Sequence, residues 1–306
     1  MDNWSPAHLS DLSGRTVVVT GGNAGLGYFA CEQLAAAGAT VVMASRNEQK
    51  ATAAIAAIRR RVPDADVHYQ ELDLARLDSV RQAVEVLSSR GPLDALLANA
   101  GVVGAAGRQH TADGFELQFG TNHLGHFALT AGLLPALTAA RGRVVHLGSI
   151  SHRWVRLNTA DLMPAKYNNP RSYATSKLAV MTFGFELAAR LHLLGSPVQS
   201  IVAHPGLALD MLTPHRPGIG LNDTPPAAQR RVLAPVSHGK DTGAWPLVRA
   251  VGDPGVDNGS YCGPSGWFQL RGHPTSVPAH PHARERNTAS RLIDASEELT
   301  GVQLAL

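Results

Sequence analysis

The 306-residue chain has only two cysteines, Cys31 and Cys262, far apart in sequence. They form neither a CxxC pair nor a metal-ligand pattern, and a reducing, cytoplasmic setting is the expectation. No stretch of eighteen or so apolar residues occurs, so no membrane-spanning helix or membrane anchor is expected. The first fifteen residues are polar and interrupted by Pro6, without the apolar centre of a signal peptide. No basic run exceeds Arg59-Arg60-Arg61 and the formal net charge is only +3, too little for a nucleic-acid footprint. Lysine is scarce, standing at Lys50, Lys166, Lys177 and Lys240 alone. Aromatic residues are 5% of the chain, so Ala, Val and Leu must fill most of the interior.

What is present suits a folded enzyme-sized domain. Hydrophobic residues make up 44% and charged residues 17%, which allows a sizeable core. Up to residue 203, short β-rich runs alternate with helical patterns. The strands expected are Thr16–Thr20, Thr40–Ala44, Val67–Glu71, Leu93–Ala98, Arg143–Leu147 and Val198–Ala203. Between them fall helices expected up to Ala37, over Asn47–Arg61, Leu77–Leu87 and Gly114–Leu137, and over Pro170–Leu194 with Asn169 as N-cap. Near-continuous apolar strands separated by helices imply a doubly wound parallel sheet in a three-layer α/β/α fold. The expectation is a single domain over 1–306, with a cofactor-binding core at 12–203. Residues 204–252 form a Pro/Gly-rich substrate-binding loop with short helices, including one at Thr242–Val251. Residues 253–306 add a strand, Gly259–Cys262, and a helix, Arg286–Leu299. So long a connection is usually functional, often a lid.

The first strand runs into Thr20-Gly21-Gly22-Asn23-Ala24-Gly25-Leu26-Gly27. A strand-to-helix turn with little side-chain bulk lets backbone N–H groups and a helix N-terminus approach a pyrophosphate. The second strand ends Ala44-Ser45-Arg46. An acid there would bind the adenosine ribose hydroxyls and repel a 2′-phosphate; Arg46 can instead pair with that phosphate. The pattern favours NADP(H) over NAD(H), with Asn23 a further candidate near the same phosphate.

Tyr173 and Lys177 are four apart and so share one helix face. A nearby ammonium favours the phenolate and so lowers the phenol pKa, which suits proton exchange with an alcohol or alkoxide. Alone such a pair is common on surfaces. Ser149 follows a buried strand at the carboxyl edge, where ligands bind. Asn122 lies within a long helix, in Asn-His-Leu-Gly-His-Phe, where its amide can hold a backbone group and a water.

Together these residues resemble the short-chain dehydrogenase/reductase family over about residues 12–299. The landmarks fall in order: the glycine turn at 20–27, Asp73, Asn99-Ala100-Gly101, Asn122, Ser149, Tyr173, Lys177 and Pro205-Gly206. The resemblance implies an oxidoreductase that moves a hydride between a nicotinamide and a carbonyl or alcohol carbon. Tyr173 would be the general acid/base, Lys177 its pKa-lowering partner and ribose ligand, Ser149 the carbonyl polariser, and Asn122 a support for a water relay. The implied cofactor set is Gly21, Asn23, Gly25, Leu26, Gly27, Arg46, Asp73, Leu74, Asn99, Ala100, Gly101, Tyr173, Lys177, Pro205 and Gly206. The text 122–127, Ser149–Trp154, the wide gap from Ser149 to Tyr173, and Gly259–Pro264 are similar to retinol-dehydrogenase-like and protochlorophyllide-reductase-like members. These tend to handle bulky apolar carbonyls. Arg153, Trp154, Met211, Leu212 and Trp267 are candidates to face such a substrate, each as readily core or loop filler.

Three positions depart from the family pattern. Ala98 precedes Asn99-Ala100-Gly101 where Asn is usual. Gly148-Ser149 replaces a double serine, leaving Ser151 a secondary candidate. Asp210 stands where a Thr often bonds the carboxamide, which leaves the local loop conformation open. The fourteen histidines give no metal expectation: His123 and His126 lack a third ligand, and His273, His280 and His282 lie in a Pro-rich stretch expected at the surface. His204, before Pro205, is expected to pack at the cleft edge. A catalytically idle NADP(H)-binding sensor or scaffold, and a double-bond reductase, remain as alternatives. Oligomeric state is left open.

Overall fold

A computed structural model describes residues 3–104, 107–220 and 233–306. One eight-stranded sheet organises the chain. Its strands are β1 (Thr16–Thr20), β2 (Thr40–Ser45), β3 (Val67–Glu71), β4 (Ala95–Ala98), β5 (Arg143–Leu147), β6 (Gln199–Ala203), β7 (Tyr261–Pro264) and β8 (Pro274–Ser276). Their order is β3-β2-β1-β4-β5-β6-β7-β8, all parallel except β8, which runs antiparallel to β7. The helices are α1 (Gly25–Ala36), α2 (Glu48–Arg61), α3 (Leu77–Ser89), α4 (Gly125–Ala139), α5 (Asn169–Leu193), α6 (Trp245–Gly252) and α7 (Arg286–Thr300).

The strand sequences explain the layering. Successive side chains alternate between faces, so an unbroken apolar strand feeds two cores at once. Val17 and Val19 join the core under α1, α2 and α6, with Phe29, Leu34, Ile58 and Leu247. Val18, between them, joins the opposite core under α3, α4 and α5, with Val80, Leu133 and Phe183. Registers Val18↔Val42 and Val18↔Leu96 align the carboxyl ends of neighbouring strands. The chain leaves β1 for one side and β4 for the other, and the loops part there into a crevice.

Several boundaries differ from the sequence expectation. Asn168, not Asn169, caps α5, accepting from the Arg171 N–H at 3.0 Å. Asn169 turns inward and donates to the Gly104 carbonyl at 3.0 Å. The helix expected over Gly114–Leu137 begins at Leu117, and one π-helical turn, Gly120–Leu124, precedes α4. The helix expected over Thr242–Val251 is a turn, Lys240–Gly243, followed by α6. The late strand lies at Tyr261–Pro264, two residues beyond its expected start, and β8 was not anticipated.

The Pro/Gly-rich connection after β6 is described only in part. Residues 221–232 of it lie outside the described residues. Residues 216–217 dock on the outer helices: Arg216 makes two 2.8 Å bonds to Glu32 of α1, and Arg60 of α2 donates to the Pro217 carbonyl at 2.8 Å. Ile219 is buried in the core beneath α1 and α2. Residues 216–219 are thus anchored by one bidentate ion pair, one arginine bond to a backbone carbonyl and one apolar side chain.

Candidate active site

A cleft of about 510 Å³ opens at the carboxyl edge of β1, β2 and β4. Its wall includes Gly21, Asn23, Gly25, Leu26, Gly27, Arg46, Asp73, Leu74, Asn99, Ala100, Gly101, Tyr173 and Lys177, so most of the residues expected from the sequence share one cavity. Asn122, Ser149, Pro205 and Gly206 are not in that wall. Asn122 stands buried behind Gly101, Ser149 reaches the cleft through Tyr173, and Pro205-Gly206 lie under the turn that ends at Leu270.

The glycines of the turn serve two different needs. Gly21 and Gly25 have left-handed backbones, with φ of 67° and 56°, which side-chain-bearing residues rarely adopt. Gly27 allows a close approach: a methyl group there would overlap the Gly21 carbonyl oxygen and lie 2.5 Å from the Asn99 amide nitrogen. That amide donates to the Thr20 carbonyl at 2.8 Å and so ties the end of β4 to the end of β1. The result is a turn with no side chain between helix N-terminus and cleft, the shape a pyrophosphate needs. Arg46 is exposed at the end of β2, with no acid beside it in the strand.

At the other end, the Ser149 hydroxyl neighbours the Tyr173 phenol. Burial pushes the phenol above its ordinary range, and the nearby Ser149 hydroxyl acts against this. The expected lowering by Lys177 is not seen: the ammonium lies 5.9 Å from the phenol ring centroid and donates to the Leu147 carbonyl at 3.0 Å. Lys177 is itself perturbed, because burial in the site pushes its pKa down to about 8. Ser151 is buried and donates to Ser149 Oγ at 3.0 Å, so Ser149 is the serine that meets Tyr173.

Asn122 sits in the π-helical turn and its amide faces Val102. Oδ1 accepts from the Val102 N–H at 2.8 Å, while Nδ2 donates to the Val102 carbonyl at 3.1 Å and to Ser176 Oγ at 2.9 Å. The expected grip on a backbone group is present. The Asn122 carbonyl has a partner that the sequence did not suggest, His126 Nδ1 at 2.9 Å. A carbonyl only accepts, so Nδ1 carries the proton. Burial pushes the His126 pKa down to about 4, so the ring is neutral and Nε2 accepts from the Thr20 hydroxyl at 2.9 Å. Thr20 Oγ in turn accepts the Asn99 and Ala100 N–H groups, both at 2.9 Å. One neutral imidazole therefore locks the π-turn to the cleft floor.

His152 plays a parallel part. Its Nδ1–H donates to the Ser149 carbonyl at 2.6 Å, and Nε2 accepts from the His280 N–H at 3.1 Å. His282, expected at the surface, is buried and donates from Nε2 to the His152 carbonyl at 2.7 Å. His204, expected at the cleft edge, is fully buried with its ring 4.9 Å from that of Tyr261. His123 is buried separately and donates to Ser296 Oγ at 2.8 Å. Spacing in sequence gave no sign of the contacts to His280, His282 and Ser296, which join segments more than a hundred residues apart.

Residues 15–216 match the family model for short chain dehydrogenases. The chain belongs to the short-chain dehydrogenase/reductase family. It is 40% identical to human retinol dehydrogenase 13 over 208 residues, 67% of this chain and 62% of that protein. It is 36% identical to mouse polyprenol dehydrogenase over 306 residues, covering 98% of this chain and 88% of that one. A crystal structure of an uncharacterised Mycobacterium paratuberculosis protein superposes with a TM-score of 0.80, at 36% identity and full coverage of both chains. These relatives support the retinol-dehydrogenase-like subgroup, and the chain is an oxidoreductase of a family that uses nicotinamide cofactors.

Within this short-chain dehydrogenase/reductase, two cleft residues stand out beyond the family set. Asp210, at the position of the usual Thr, forms an ion pair with Lys240. Both line the same cleft as the glycine turn. Lys240 lies beyond the stretch matched by the family model, which is why the family landmarks did not lead to it.

Proposed function

We propose that the chain is an NADP(H)-dependent oxidoreductase acting on carbonyl/alcohol pairs, chiefly reducing ketones or aldehydes of bulky apolar or aromatic small molecules. The observation that carries this reading is that Tyr173, with Ser149 beside it, and Lys177 share one cleft with the glycine turn. The open, methyl-intolerant turn fits a dinucleotide, and Arg46 without a neighbouring acid supports the 2′-phosphorylated form. When bound, NADPH supplies the hydride.

The chain's own groups supply the proton. Burial keeps Tyr173 protonated at neutral pH, so its phenol is a donor ready for an oxygen that gains negative charge. Ser149 Oγ hydrogen-bonds the same oxygen and orients it. Lys177 retains most of its charge at pH 7, below its pKa of about 8, and contributes a buried cation beside the ribose and the phenol. Asn122 and His126 fix the backbone at Gly101–Val102 that walls this corner. Alcohol oxidation would need the phenolate, so it gains with rising pH where reduction does not.

Substrate bulk is supported by exposed aromatics, one of them in the turn that follows Ser149. Trp154, in the turn after Ser149, is 71% exposed, and Trp267 and Phe268 are 71% and 60% exposed. Phe268 and Gln269 hold left-handed backbones, with φ of 49° and 61°. Strain of this kind in non-glycine residues clusters at ligand-binding turns. The two thiols, Cys31 and Cys262, are buried and unpaired, which supports the cytoplasmic assignment.

The test is NADPH consumption over a panel of aromatic ketones and aldehydes, with Tyr173→Phe alongside. Loss of the acid should lower turnover by about 10²–10⁴-fold and leave NADPH binding intact. Turnover at the wild-type rate in Tyr173→Phe would remove the proposed role. Tight NADPH binding with no turnover anywhere in the panel would favour an idle binding protein. A product that retains its carbonyl would favour double-bond reduction.

A further inference from the structure

The glycine turn contains no basic side chain: residues 20–27 read Thr-Gly-Gly-Asn-Ala-Gly-Leu-Gly. Three basic side chains line the cleft among the described residues, Arg46, Lys177 and Lys240. Arg46 stands at the end of β2 and Lys177 beside Tyr173. Lys240 alone hangs over the turn. A methyl group on Gly25 would lie 3.6 Å from its Nζ. Lys240 is one of four lysines in the chain, and it arrives from the far end of the long connection that follows β6.

Its backbone is firmly placed there. The Lys240 N–H donates to Thr213 Oγ at 2.8 Å, and Gln33 of α1 donates to the Asp241 carbonyl at 2.9 Å. Gly243, one turn on, sits so close to Ala208 and Leu26 that a methyl group would meet them at 2.7 and 3.0 Å. The short turn Lys240–Gly243 is thus packed against the start of α1, and the ammonium is delivered to the turn by a fixed scaffold. Its present partner is Asp210, at 2.5 Å, with each side chain 24% exposed.

We propose that Lys240 is a pyrophosphate ligand of the dinucleotide, and that Asp210 is its internal stand-in, a carboxylate that the pyrophosphate displaces or shares. This rests on the dinucleotide-binding reading above. A pyrophosphate diester carries two negative charges, and backbone N–H groups with a helix dipole offset them only in part. An ammonium already aimed at the turn adds a charge-assisted bond. Asp210 holds that ammonium in place without ligand, and it also competes for it. The same pair ties residue 210 to residue 240, so cofactor binding bears directly on the contact between these two positions.

The experiment measures NADPH affinity by fluorescence titration of wild type, Lys240→Met, Lys240→Arg and Asp210→Asn over a range of salt. Lys240→Met should weaken NADPH by about tenfold or more, and Lys240→Arg should stay within a few-fold of wild type. The gap between wild type and Lys240→Met should narrow as salt screens the ammonium. Asp210→Asn, which removes the competitor, should bind NADPH more tightly. A 2′-phosphoadenosine probe, which has no pyrophosphate, should bind wild type and Lys240→Met alike. Thermal melts of the four proteins check that each is folded. NADPH affinity of a folded Lys240→Met within twofold of wild type at low salt overturns the proposal, as does weaker binding by Asp210→Asn. A wild type that binds no dinucleotide at all would instead overturn the reading on which it rests.

Discussion

Replacing Lys177 by methionine should abolish turnover and yet not cost the cofactor-free protein stability at pH 7. Lys177 is buried, its hydrogen-bond partner among the described residues is the Leu147 carbonyl, and burial pushes its pKa from 10.5 to about 8. At about 1.36 kcal/mol per pH unit, holding the charge in the folded state at pH 7 costs about 3 kcal/mol relative to the unfolded chain. The folded pKa lies below the unfolded one, so the unfolded state binds the extra proton between the two values. The penalty is therefore full below about pH 8 and fades as pH rises toward 10.5. Methionine has a similar length and no charge, so it removes the penalty. It also leaves the Leu147 carbonyl without its donor, a cost of about 1–3 kcal/mol. The balance at pH 7 is a variant as stable as wild type or more so, by up to about 2 kcal/mol. Urea denaturation of both proteins without cofactor, at pH 7 and again near pH 10, measures it. The wild-type-minus-variant difference should shift in favour of wild type by about 3 kcal/mol across that range. A variant destabilised by more than about 3 kcal/mol at pH 7, or a difference independent of pH, would refute the claim that Lys177 is a strained, desolvated cation.

Two more predictions follow from the cofactor end. Arg46→Asp should reverse the preference between NADPH and NADH, with at least about a tenfold drop in kcat/KM for NADPH from loss of a charge-assisted pair; an unchanged ratio of the two kcat/KM values would remove Arg46 from cofactor selection. Gly27→Ala should destabilise the fold by about 1–3 kcal/mol and eliminate dinucleotide binding, because the added methyl overlaps the Gly21 carbonyl. A melting temperature and an NADPH affinity both equal to wild type would show that the turn relaxes where the packing says it cannot.

Much of this molecule was legible in the sequence because its strands follow a simple rule. Thr16–Thr20 and Arg143–Leu147 emerge at their expected bounds, since a short β-branched apolar run buried on both faces has no competing structure. The glycine turn and Ser149 were legible because each directly follows a strand, and Tyr173 and Lys177 because a spacing of four places them on one face of α5. The rest depended on contacts between distant segments. The Asn168 cap competed with an equally suitable neighbour, Asn169, and tertiary bonds to Gly104 decided between them. The seating of Arg216 and Pro217 on Glu32 and Arg60, helix residues far earlier in the chain, likewise left no mark in the local sequence. His126, His152 and His282 showed no pattern because each completes a hydrogen-bond chain that exists only once α4, the Ser149 turn and the C-terminal segment are assembled.

Several places where this chain breaks local rules lie at the carboxyl edge of the sheet. Left-handed backbone occurs at Gly21, Gly25 and Gly206; a π-helical turn interrupts the run into α4 at Asn122; a lysine is buried without a carboxylate among its hydrogen-bond partners. Each is unfavourable by itself, and natural sequences tolerate such conflicts chiefly where they serve binding or chemistry. The buried neutral histidines fit the same logic from the other side. A protonated ring in those positions would place more positive charge beside Lys177 and depress its pKa further, so burial that holds His126 at about 4 also protects the one ammonium the phenol needs. Around Asn122 and Ser149 the site is held by uncharged bonds, which leaves charge to Lys177, Arg46 and the Lys240–Asp210 pair.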